Sequence, residues 1–98
     1  MVTEIARFTA QPEKTDALLH GLQNALPVIA RAAGCRSIKL MRCVEDDTIF
    51  IYEVEWETLN DHLVVFRNSP LFAEYRSHIT GLFQDPVFVQ HFERLPPA

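Results

Sequence analysis

Thr48-Ile49-Phe50-Ile51-Tyr52-Glu53-Val54-Glu55-Trp56 reads as a β-strand: β-branched and aromatic residues dominate it, and neither Gly nor Pro interrupts it. One parity carries Phe50, Tyr52, Val54 and Trp56; the other carries Ile49, Ile51, Glu53 and Glu55. A strand with one wet face alternates apolar and polar residues along its length. Here the first half is apolar on both parities, so both faces are expected to be covered there and the strand to be central in its sheet. A 98-residue chain can supply helices for one face. A second copy of the chain is the expected cover for the other.

Immediately upstream, Glu45-Asp46-Asp47 is a turn, and Cys35 to Val44 is the strand that pairs across it as a hairpin. Before that strand, Glu13 to Ala33 reads as a helix: Leu18, Leu22, Ala25 and Ile29 draw one apolar stripe, which Leu19 and Leu26 widen. Glu13 and Asp16 suit its first turn. Pro27 removes the hydrogen bond to the Gln23 carbonyl and is expected to bend the helix. Gly34 is its left-handed terminator. Val2 to Ala10 is a first strand, closed by Gln11-Pro12, with Val2, Glu4, Ala6, Phe8 and Ala10 on one face.

Downstream, Thr58-Leu59-Asn60-Asp61 is a variant capping box opening a short helix whose inner face is Leu59, His62, Leu63 and Phe66. Ser69-Pro70 starts another helix, with inner face Leu71, Phe72, Tyr75 and Ile79, running to Gly81. Val87 to Glu93 is the last strand, and the tail Leu95-Pro96-Pro97-Ala98 is expected to be loose. The order β-α-β-β-α-β is the ferredoxin-like α+β arrangement, a single domain over residues 1–98. Crossover rules give an antiparallel sheet of order 4-1-3-2 with helices on one face.

Composition narrows the partners. Apolar residues make up 48% and charged residues 22%, which is a folded domain and not a disordered chain. A chain this short buries only roughly 60–65% of its extended surface, so oligomerisation is a natural source of stability. The net charge is −4 and the basic residues are scattered, which argues against nucleic acid and against an anionic membrane surface. No apolar run approaches a membrane span. Met1-Val2-Thr3-Glu4-Ile5-Ala6-Arg7-Phe8 reads as strand and not signal peptide, so a cytoplasmic protein is expected. Cys35 and Cys43 sit near opposite ends of one strand, beyond disulfide reach, and read as free thiols.

Several features together resemble a known family. The first strand ends before Pro12, the long helix ends in Gly34-Cys35, and the third strand ends in Glu53-Val54-Glu55-Trp56-Glu57. A short amphipathic helix comes next, then Asn68-Ser69-Pro70-Leu71-Phe72-Ala73-Glu74-Tyr75 and a late strand. From Val2 to Glu93 the chain resembles the antibiotic biosynthesis monooxygenase superfamily of dimeric α+β barrels. That resemblance implies a homodimer joined through open sheet faces. It also implies either a cofactor-free monooxygenase of phenolic, quinol or polycyclic aromatic molecules, or an isomerase or a non-catalytic binding module on the same scaffold. Many members carry a His three residues before the Ser/Thr-Pro pair, where this chain has Phe66. Haem-degrading members use an Asn, a Trp and a His at positions matched here by Ala6, Phe66 and Arg76, which argues against haem degradation.

The residues themselves offer modest chemistry. There is no Gly-rich phosphate loop, no paired-Cys motif and no His-Glu-x-x-His. His20, His62, His78 and His91 are not at metal-ligand spacings, so no metal, flavin or haem is expected. His62 and His78 are candidate general bases, set against the plainer reading of packing histidines. Tyr75 is a candidate orienting hydroxyl. Tyr52, Trp56, Phe66, Phe72 and Phe83 are candidate walls of an aromatic-lined cleft for a flat aromatic molecule, although most such rings simply fill cores. Arg7 and Glu53 have parities that could share a face as a cross-strand pair at the subunit interface.

Overall fold

The computed structural model describes all 98 residues. Four strands form one antiparallel sheet: β1 (Val2–Thr9), β2 (Cys35–Arg42), β3 (Ile49–Trp56) and β4 (Phe88–Phe92), in spatial order β2-β3-β1-β4. This is the expected 4-1-3-2 order. β3 is central, hydrogen-bonded to β1 on one side and β2 on the other. Phe50, Tyr52, Val54 and Trp56 all point under the helices and are at most 1% exposed. Phe8 and Phe50 face each other across β1 and β3, as do Ala6 and Tyr52. The opposite parity, Ile49, Ile51, Glu53 and Glu55, is half-buried in the single chain.

The long helix α1 (Thr15–Ala30) is shorter at both ends than its periodicity suggests. Glu13 has a positive φ of 65°, a conformation unusual for a non-glycine residue, so the chain turns there and the helix starts two residues later. Asp16 remains the acidic residue of the first turn, and the helix continues through Pro27. Leu18, Leu22, Ala25 and Ile29 are buried, as the stripe requires, and Gly21 and Val28 join them. Gly34, at φ 82°, reverses the chain into β2. The β2–β3 hairpin is tied by Asp46, whose Oδ1 accepts from the Thr48 backbone N–H at 3.0 Å and from its hydroxyl at 2.6 Å.

The capping box after β3 is present in reciprocal form. The Asp61 N–H donates to Thr58 Oγ1 at 3.1 Å, and the Thr58 N–H donates to Asp61 Oδ2 at 3.2 Å. The segment it opens, Asp61–Phe66, winds as a π-helix and not as an α-helix. Its wider i→i+5 winding separates residues three apart and keeps residues four apart together. His62 and Phe66 are therefore both buried, whereas Leu59 and Leu63, expected inside, are 42% and 37% exposed. Helix α2 (Pro70–Ser77) is shorter than expected and stops before Ile79. That residue still reaches the core, fully buried, from the turn beyond the helix.

The strand register corrects one expectation. Glu53 lies opposite Ile5, and Arg7 lies opposite Ile51, so Arg7 and Glu53 share the open face without pairing directly. Arg7 instead places its guanidinium 6.0 Å from the centre of the Phe88 ring. The two cysteines are free. No helix is long and apolar enough to cross a membrane.

Candidate functional site

Between the sheet and the broken second helical region lies a cavity of about 260 Å³. β1 and β3 supply its floor through Ala6, Tyr52 and Val54. The π-helical segment contributes His62 and Phe66, and α2 contributes Phe72, Tyr75 and Arg76. Six of the eight sequence candidates thus meet in one place: His62, Phe66, Phe72, Tyr75, Tyr52 and Phe83. Phe66 and Phe72 pack edge to face at 5.6 Å, and Phe72 and Tyr75 at 5.8 Å.

Two candidates lie elsewhere. His78 caps the end of α2, where its backbone carbonyl packs against Gly21 of α1, and it does not line the cavity. Trp56 stands behind the wall: its ring stacks on His62 at 5.1 Å and 13° between planes. The tyrosines divide in role. The Tyr52 hydroxyl donates to the Leu22 carbonyl inside the core. Tyr75 makes no hydrogen bond to the protein through its hydroxyl, and that oxygen is not fully buried. Burial, with Glu4 nearby, raises the pKa of Tyr75.

Sequence reasoning missed the polar side of the site. Glu4 is 7% exposed on the helix-facing parity of β1. Its Oε1 accepts from Trp56 Nε1–H at 2.9 Å and lies 3.5 Å from His62 Nε2. His62 Nδ1 lies 2.8 Å from Nε2 of His91, the residue paired with Glu4 across β1 and β4. One tautomer set satisfies every contact: His91 Nε2–H donates to His62 Nδ1, and His62 Nε2–H points at the Glu4 carboxylate. Burial chiefly, then the Arg67 guanidinium and His91, push the His62 pKa down to about 4. The imidazole is therefore neutral at pH 7, and its contact with Glu4 is not an ion pair there. Burial raises the Glu4 pKa against the pull of the Trp56 N–H and Arg67. Glu4 Oε2 has no protein partner and is not sealed off. The signal for this cluster was Glu4 itself, a carboxylate on an otherwise apolar parity. His91 became visible only through the register. No group of three or more His, Cys, Asp or Glu side chains is gathered where it could hold a metal ion.

The sequence profile of the antibiotic biosynthesis monooxygenase family matches residues 1–77. The chain belongs to that family. A Bordetella bronchiseptica protein, provisionally named an antibiotic biosynthesis monooxygenase, is 33% identical over 97% of each chain and superposes with a TM-score of 0.90. The Mycobacterium tuberculosis protein Rv0793 is 27% identical, with 99% of this chain and 97% of that one covered and a TM-score of 0.80. The uncharacterized Bacillus subtilis protein YczJ is 28% identical over 95% of this chain and 98% of its own. In this antibiotic biosynthesis monooxygenase family member, the positions matched to haem chemistry, Ala6, Phe66 and Arg76, all line the cavity. None of those three side chains is an iron ligand.

Proposed function

We propose that this chain is a cofactor-independent monooxygenase acting on a small phenolic or quinol ring bound in the cavity. The observation that carries the reading is an apolar, aromatic-walled cavity lined by one buried carboxyl, Glu4, whose Oε2 has no protein partner, beside a neutral His62. A phenol bound there loses its proton to Glu4, backed by His62 and His91, while the Tyr75 hydroxyl orients the ring. The neighbouring groups favour this assignment over His62 alone. An imidazole with a pKa near 4 is a weak base at pH 7, whereas burial moves Glu4 toward the working pH. The resulting electron-rich anion transfers an electron to O2, and the two radicals join at a ring carbon as a hydroperoxide. Loss of water then leaves a carbonyl. The four electrons that reduce O2 come from the phenol as it becomes a quinone: one oxygen enters the product, and the other leaves as water with the ring hydrogen and the phenolic proton that Glu4 had taken. The protein supplies the proton acceptor, the orientation and exclusion of bulk water.

In this proposal the cavity belongs to a homodimer joined through the open sheet face. That face carries Ile5, Ile51, Met41, Phe88 and Phe92, the last three 44%, 59% and 50% exposed. Lys39 and Arg7 share it with Glu53 and Glu55, so both signs of charge are present and a two-fold copy can match itself. The occupied nitrogens of His62 favour a second reading, a dimeric binding module without catalysis.

Oxygen uptake by metal-stripped protein, across a panel of one- and two-ring hydroquinones, separates the two. Turnover without added metal or flavin, reduced at least tenfold in Glu4→Gln with ligand binding kept, is expected. Turnover appearing only with added iron, copper or flavin refutes the cofactor-free reading. Binding without turnover selects the binding module.

A further inference from the structure

Two cations on the cavity wall lack counter-ions. The chain has 13 acidic and 9 basic residues, so partners are plentiful. Three of the nine basic side chains are ion-paired: Arg31 with Glu74 at 2.8 Å, Arg36 with Glu57, and Arg94 with Glu55 at 3.5 Å. Arg67 and Arg76, which line the cavity, have no carboxylate within salt-bridge distance and donate no side-chain hydrogen bond to the protein. Arg76 holds its guanidinium 5.8 Å from the Phe72 ring centre and 5.7 Å from that of Phe83, between two walls of the cavity. Its face is supported by aromatic rings, and its planar fork of donors remains free. The one carboxyl in the cavity, Glu4, already receives the Trp56 N–H on the strand side. The cavity's neutral or weakly ionised groups, His62 and Tyr75, do not offset the two arginines.

We infer that the cavity takes an aromatic anion, a one- or two-ring carboxylate whose ring lies among Phe66, Phe72 and Phe83 and whose carboxylate is received by Arg76 and Arg67. A planar carboxylate matches the guanidinium fork bidentately, which a phenolic oxygen cannot do. At about 260 Å³ the space falls just below the ligand-pocket range of roughly 300–1,000 Å³, which favours one or two rings over larger polycycles. This inference rests on the cavity being the ligand site proposed above, and it narrows the substrate to a phenol that also carries a carboxylate.

The test uses ligands that cannot be oxidised by that route, so it stands apart from turnover. Calorimetric titration of the whole protein compares 2-naphthoate with 2-naphthamide, the same ring with the charge removed. The expected result is at least tenfold tighter binding of the naphthoate, weakened by raising salt from 50 to 300 mM. Arg76→Gln and Arg67→Gln should each lower naphthoate affinity about three- to tenfold, and the double variant should bind both ligands alike. Both arginines are exposed outside the core, and circular dichroism with a melting curve checks that the variants fold. Equal affinity of the wild type for the two ligands, no binding of either, or an anion preference that survives in the folded double variant would each overturn the inference. A protein that shows the anion preference but consumes no oxygen would leave the inference standing and remove the monooxygenase reading.

Discussion

At the level of single residues, His62 has a titration consequence. Its folded pKa, near 4, lies below the ordinary value of 6.5, so between those values the unfolded chain binds the proton that the folded chain refuses. Stability then rises with pH across that window, and the contribution is lost as the pH falls from 6.5 toward 4. The shift corresponds to about 3 kcal/mol at most. Glu4 works in the opposite sense: its raised pKa lets the folded chain hold a proton that the unfolded chain has released, which lowers stability as the pH rises above 4.5. A comparison with His62→Gln isolates the histidine. Urea unfolding at pH 7 and pH 4 should show the wild type losing up to about 3 kcal/mol more than the variant over that interval. Equal acid sensitivity in the two proteins would show that His62 is not held neutral by burial.

At the level of elements, the approach of α2 to α1 depends on Gly21. A Cβ there would collide with the backbone carbonyl of His78, and main chain cannot swing aside as a flexible side chain can. Ala has a helix propensity better by up to about 1 kcal/mol, but the overpacking cost of roughly 1–3 kcal/mol wins at this position. Gly21→Ala should therefore lower the melting temperature by about 4–8 °C for each kcal/mol of net loss. An unchanged or raised Tm would mean that the two helices do not meet as closely as described. The elements are largely legible from the sequence because their signals are local. A β-branched and aromatic run names β3, Gln11-Pro12 closes β1, the Leu18–Ile29 stripe names α1, and Thr58 with Asp61 marks the start of the next helix. The π-helical winding is not legible: an i→i+5 segment and an α-helix share composition and caps, so α-helical spacing turns Leu59 and Leu63 inward when only His62 and Phe66 are buried. The aromatic half of the cavity comes from counting rings on inward parities. The Glu4–His62–His91 string does not, because it joins β1, the π-helical segment and β4, residues brought together only by the sheet register.

At the level of the whole molecule, the open face of the sheet decides whether the chain is complete alone. Phe88 and Phe92 flank Ile5 through the β1–β4 register, and Ile51 sits opposite Arg7 on the neighbouring strand. Apolar side chains concentrated on one face of a small domain mark an interaction surface. A homodimer would cover them, and Ile51→Asp would place an unpaired carboxylate at its centre. Sedimentation at micromolar concentration should give a dimer for the wild type and a monomer, or an equilibrium shifted at least tenfold toward monomer, for Ile51→Asp. A wild-type monomer at that concentration would remove the dimer from the proposal.

The stacking of Trp56 on His62 gives the molecule an optical property. The chain has a single tryptophan, and its indole lies parallel to His62 while its N–H is held by Glu4. An imidazolium against an indole face is an efficient quencher of its emission, and the charge on the indole's hydrogen-bond partner sets the emission colour. Fluorescence from this protein, excited selectively at its one indole, therefore comes from a chromophore in contact with both Glu4 and His62. No dye or engineered label is needed to observe them.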